Sequence, residues 1–253
     1  MENQNEAQKP KFQIPTEQVD LPSKGKLYPS DHPLASGKVE MKYMTAKEED
    51  ILTNQNYIEK GVVIDKLLQS LIVSDFNYND LLIGDKNAIM VAARILSYGK
   101  DYDIQYKGKD ITVDLTEIKE KELDFDNIEQ GQREFTFSLP KSGNEVTFKL
   151  LTHGDDKNID REVEGLKKIN RDSSASLSTR MKYIITSVNG DREISTVRQF
   201  VDQGLLAQDA RALREEYARV QPDVEFKVYH VDEDGVGEDI DVPVTINFFW
   251  PDA

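Results

Sequence analysis

Apolar side chains recur in this chain with two different periods, in separate blocks. Over 62–98 they stand three and four residues apart; over 101–150 they alternate; over 154–220 the helical spacing returns; over 226–246 they alternate again. A 3.6-residue period buries one stripe of a helix, and a two-residue period buries one face of a strand. Blocks of helices and blocks of hairpins predict an α+β fold.

The segment ahead of these blocks has its own logic. Residues 1–11 are polar and read as a flexible tail. Residues 12–37 carry Pro15, Pro22, Pro29 and Pro33 with Gly25 and Gly37, a composition that no helix tolerates. The same stretch holds Phe12, Ile14, Val19, Leu21, Leu27, Tyr28 and Leu34, which a solvated linker does not need. It reads as an extended arm lying on a surface, either the chain's own or a partner's.

After a short strand at 39–44, Thr45 and Glu48 have the spacing of a capping box, so a helix is expected from there to about Asn54. Further helices are expected over 62–73 and 86–98, the latter capped by Asp85 and closed by Gly99, with a helical turn at 79–83. Hairpins are expected over 101–115 and 135–150, with an exposed charged connection over 117–132. Helices are then expected from Gly154 and over 175–188, 195–203 and 207–220, before a last hairpin from Phe226. The resulting units are an arm plus small helical bundle (12–100), a hairpin region (101–151), a second helical segment (152–222) and a C-terminal hairpin with an aromatic end (223–253). The last of these is readable as one composite unit with 101–151.

Composition narrows the chemistry. The chain has no cysteine, three histidines and a formal net charge of −15, which excludes disulfides and thiolate chemistry and disfavours nucleic acid and anionic membranes as partners. No apolar run is long enough to span a bilayer. His153 with Asp155 or Asp156 suggests a His/Asp site or, more simply, a helix N-terminus capped by an acid. The acidic run from Asp232 has a glycine at Gly237 but Pro243 where a calcium loop needs its glutamate. Phosphate loops, nucleophile elbows and zinc-protease motifs are missing, so no catalytic residue, cofactor or metal is assigned and the chain is read as a non-enzyme. Interaction surface is what remains. Leu21, Pro22, Lys24 and Tyr28 in the arm, and Phe248, Phe249 and Trp250 at the end, are the candidate partner-binding residues. Each set is also readable as docked in the chain's own core. Asp209, Arg211, Arg214 and Glu215 read as an ordinary salt-bridged helix face.

The strings LPSKGKLYP (21–29), MTAKEEDIL (44–52), IEKGVVIDKLL (58–68) and GDKNAIMVAARILSYGKDY (84–102) resemble the T4-type phage baseplate proteins, the family of the baseplate hub assembly subunit. SVNG (187–190), DARALR (209–214) and FFWPD (248–252) extend the resemblance in the same order over most of the chain. It implies a structural or assembly role in a contractile phage tail, in the host cytoplasm during assembly and in the virion tail baseplate. Other baseplate, hub or tail proteins are the implied partners. Two rivals stand beside it: a transient assembly chaperone absent from the virion, and a metal-binding adaptor. The resemblance also implies cysteine-bearing hairpins of zinc-ribbon type. Here 104–115 and 227–244 contain no cysteine, so they read as degenerate ribbons held by Tyr102, Tyr106, Phe226 and Tyr229, with His230, Asp232 and Asp234 as a remnant site.

Overall fold

The computed structural model describes residues 14–169, 176–231, 235–244 and 246–249. The tail at 1–11 and Trp250 lie outside them. β1 (Thr16–Asp20) pairs antiparallel with β2 (Lys38–Lys42), Val19 opposite Val39. Between the two strands the arm turns back on itself. Its amides bond the carbonyl three residues behind: Lys24 to Leu21 (2.8 Å), Lys26 to Ser23 (3.0 Å) and Tyr28 to Gly25 (3.2 Å). Proline forbids helix but suits such turns. Gly25 makes the loop possible: its φ is +75°, and a Cβ there would sit 2.3 Å from the Ala35 carbonyl oxygen.

Four helices follow: α1 (Ala46–Leu52), α2 (Gln55–Glu59), α3 (Val63–Leu71) and α4 (Ile83–Tyr98). α1 starts where the Thr45/Glu48 pair predicts, with Glu48 accepting from the Thr45 amide (3.0 Å). α2 is too short to carry a legible period. A 3-10 turn at Tyr78–Asp80 stands beside the turn predicted at 79–83. α4 corrects the expected cap: Leu82 is the N-cap residue, and Asp85 lies inside the first turn of the helix.

β3 (Asp101–Tyr106) and β4 (Lys109–Asp114) form the first hairpin around Lys107 and Gly108, whose φ angles of 50° and 80° suit a two-residue turn. The connection after it is less exposed than its charges suggest. Within it β5 (Lys119–Glu120) pairs with β9 (Val224–Glu225), and Gln130, Gly131 and Arg133 reach the arm. β6 (Glu134–Ser138) and β7 (Glu145–Lys149) make the second hairpin. α5 (His153–Ile169) begins at Thr152 and Asp155, which bond each other reciprocally (3.1 and 3.3 Å).

α6 (Ser176–Ile184) is shorter than predicted, because Ile185–Val188 leave the helix as β8 and pair with β7 to give the order β6-β7-β8. The run Ile184-Ile185-Thr186 is β-branched, and the open edge of β7 offers its backbone a partner. α7 (Ile194–Gln203) and α8 (Ala207–Val220) follow as expected. β10 (Lys227–Val231) and β11 (Gly237–Asp241) close the order. Buried apolar residues from every block, including Leu21, Leu67, Ile89, Val113, Phe148, Leu213 and Phe248, belong to one contiguous core cluster.

Candidate functional site

Two of the strings behind the resemblance meet in space. LPSKGKLYP lies against the first turn of α4, and Asp85 is the joint between them. Its carboxylate is fully buried and accepts from the Ser23 amide (2.9 Å) and the Tyr28 hydroxyl (2.7 Å). The Tyr28 oxygen accepts in turn from the Leu82 amide (3.0 Å), one of the orphan donors at the helix start. Burial pushes the Asp85 carboxyl up to about 6, against the lowering effect of Tyr28 and Ser23. Burial and the adjacent Asp85 charge push the Tyr28 phenol far up, so it remains a donor.

Other elements hold the loop from outside. Gln130 Nε2 donates to the carbonyls of Gly25 (2.9 Å) and Tyr28 (2.7 Å), and Arg133 Nε donates to that of Leu27 (3.0 Å). The Arg133 guanidinium lies 4.9 Å from the centre of the Tyr28 ring, and His32 stacks against that ring. Leu21, Pro22 and Tyr28 are therefore covered by the chain itself. Lys24 is exposed and pairs with Glu120.

The aromatic end behaves alike. Phe248 and Phe249 are fully buried, with Phe248 edge-on to Tyr102 (5.2 Å between centres) and to Phe249. Phe249 also borders an open groove of about 470 Å³ with Val63, Ile64, Ile83 and Met90. Of the residues expected to hold the hairpins, Tyr102 is buried, Tyr106 and Phe226 are partly covered, and Tyr229 points outward at 63% exposure.

His153 and Asp155 do not form a site together. The His153 ring faces Asp65 (Nε2–Oδ2 3.7 Å), Lys86 and Tyr78, whereas Asp155 turns to Thr152 and Lys149. Burial pulls the His153 imidazole down. Among the described residues no group of three His, Cys, Asp or Glu side chains is placed to hold a metal ion. Asp232 and Asp234 of the remnant site lie outside those residues.

Two further acids, Asp209 and the capping-box Glu48, are buried, which their local sequence does not indicate. Asp209, read as part of a surface salt-bridge face, is buried at the start of α8 and accepts from the Lys141 (2.7 Å) and Ser142 (3.0 Å) amides in the β6–β7 turn. Arg211 and Glu215 do form the expected surface pair (2.8 Å). Glu48 is buried and accepts from Thr45, Lys42 (2.8 Å) and Ser70 (2.9 Å). Burial pushes its carboxyl up, but these donors outweigh it and hold the group at about 2. Each acid joins a helix to a neighbouring segment. The available signal was their place in the first turn of a helix; their burial had none.

These joints fall within GDKNAIM, MTAKEEDIL and DARALR, so the strings that carry the resemblance also carry the polar brackets of the fold. The family model described as T4 bacteriophage base plate protein matches residues 14–245. The chain belongs to that family. No curated protein and no solved structure matches it. Membership gives the chain a base plate role, structural or in assembly, and base plate proteins as its surroundings. Among the described residues no helix is long and apolar enough to cross a membrane.

Proposed function

We propose that this base plate protein is a non-enzymatic subunit or assembly factor of the hub region of a contractile phage tail, acting through protein–protein contacts. The family match over 14–245 carries the reading. What supports it beside that match is the use made of the polar groups. Asp85, Asp209 and Glu48, the most deeply buried acids, are each taken up by bonds that brace one segment on another. In this reading Leu21, Pro22, Tyr28, Phe248 and Phe249 act on partners from beneath, by fixing the surface that Lys24 and its neighbours present. The site of action is the host cytoplasm during assembly and the tail baseplate afterwards.

Quantitative mass spectrometry of purified virions against infected-cell lysate tests the reading. An integral copy number per virion is expected for a subunit. Abundance in lysate with absence from virions would make the chain a transient chaperone.

A further inference from the structure

The β10–β11 hairpin has one covered and one open face. Its inner face is anchored by Val228 and Ile240, both nearly inaccessible. Its outer face shows Tyr229 (63% exposed) and Val231 (54%), with Val236 (58%) at the turn. Tyr229 is not a loose side chain. Its ring lies across Gly237 on the neighbouring strand, where a Cβ would come within 1.9 Å of the phenol oxygen. The glycine thus leaves room for a flat aromatic platform with one side open.

The outer edge of β11 has no strand beside it among the described residues, since the sheet consists of β10 and β11 alone. Exposed edges normally carry charge to discourage pairing. β11 does carry Glu238, Asp239 and Asp241. Glu238 is taken by Lys107 (2.5 Å), but Asp239 and Asp241 are exposed and make no ion pair among the described residues. Protection alone explains the acids. It does not explain three large apolar side chains, each more than half exposed, on the same short hairpin. A groove of about 450 Å³ runs beside Tyr229, where Glu117, Glu225 and Asp239 outnumber Lys119 and Lys227.

We propose that the outer edge and face of this hairpin bind an extended segment of a second protein in which lysine or arginine alternates with apolar residues, added as a strand beside β11. The alternation follows from register. A strand paired to β11 places one set of side chains on the outer face, beside Asp239 and Asp241 and on the same side as Tyr229 and Val231, and the other set beside Glu238 and Ile240. Long cationic side chains suit the first set, with their heads at the two acids and their apolar stems toward Tyr229 and Val231, and apolar side chains suit the second, since Lys107 already takes Glu238. The proposal rests on the reading of this chain as a protein that holds others.

The test uses the full chain at about 0.15 M salt, where long-range charge attraction is screened. The probe is a capped synthetic peptide of alternating lysine and valine; its glutamate–valine twin is the control. Amide hydrogen exchange is read along the chain. The lysine peptide is expected to slow exchange over 237–241 by tenfold or more, and the glutamate peptide to leave it unchanged. Asp239→Lys with Asp241→Lys, both exposed, should weaken binding at least tenfold, as should Tyr229→Ser with Val231→Ser. Absence of protection at 237–241 would overturn the proposal. So would protection spread over other acidic surfaces, protection that survives both double substitutions, or self-association of the chain through this hairpin. The readout is peptide binding in solution. Its failure leaves the assembly role standing, and the virion measurement is able to fail while the hairpin still binds.

Discussion

Tyr28→Phe removes one oxygen and leaves the ring, its stacking on His32 and its contact with Arg133 in place. That oxygen makes two bonds inside the molecule, as donor to Asp85 Oδ2 (2.7 Å) and acceptor from the Leu82 amide (3.0 Å). Both partners are buried. A buried polar group left unpaired costs about 1–3 kcal/mol, and more when charged. Asp85 keeps its bond from Ser23, so the expected loss is about 3 kcal/mol, a large fraction of a typical total of 5–15 kcal/mol. Urea unfolding followed by far-UV circular dichroism at pH 7 measures it. Tyr229→Phe, at an exposed ring, is the control and is expected to change stability by less than about 0.5 kcal/mol. The variant's penalty should shrink toward pH 5, because an Asp85 deprived of one donor escapes part of its cost by taking up a proton. A loss below about 0.5 kcal/mol, or one equal to that of the control, would refute the reasoning that this bond network holds the arm.

Asp85 has its carboxyl raised from 3.8 to about 6, so its contribution to stability is present below 3.8 and is lost as pH rises through about 6. Wild type minus Asp85→Asn, measured by urea unfolding from pH 4 to 7, should therefore fall with rising pH by an amount on the order of 3 kcal/mol. Glu48 works the other way: its carboxyl is lowered from 4.5 to about 2, so its contribution is present above 4.5 and is lost as pH falls toward 2. The Glu48→Gln variant should accordingly show a shallower acid transition than wild type. Gly25→Ala forces both a positive φ and a clash with Ala35, whereas Gly108 has a positive φ and open space around it. Gly25→Ala should lower the thermal midpoint well beyond the effect of Gly108→Ala, for which about 1 kcal/mol is expected. Asp209→Ala should speed hydrogen exchange at the Lys141 and Ser142 amides at least tenfold while leaving the β3–β4 hairpin unaffected.

Hairpins and long helices were legible because they rest on local repetition. The alternation at 101–115, the Thr45/Glu48 spacing and the stripe of α8 each state their structure within a few residues. The errors share a physical cause. Ile185–Val188 continue a helical stripe as readily as they alternate, and only the open edge of β7 makes them a strand. In the sequence Asp85 has the place of a cap for its own helix, the default role of an acid near a helix start. Its actual partners lie 57 and 62 positions away in the chain. The same holds for Asp209, whose neighbours in sequence suggest a surface and whose neighbours in space are a turn 67 and 68 positions earlier.

By itself the sequence determined the class of fold, the order of its blocks and the family, since period, turn chemistry and motif strings are all properties of short segments. Tertiary structure alone decided what the arm rests on, which acids are buried, where Phe248 and Phe249 go and which hairpin face is left uncovered. Those outcomes depend on which distant surfaces come together. A side chain's burial and the position of its proton follow from that assembly, and no local pattern of residues encodes it.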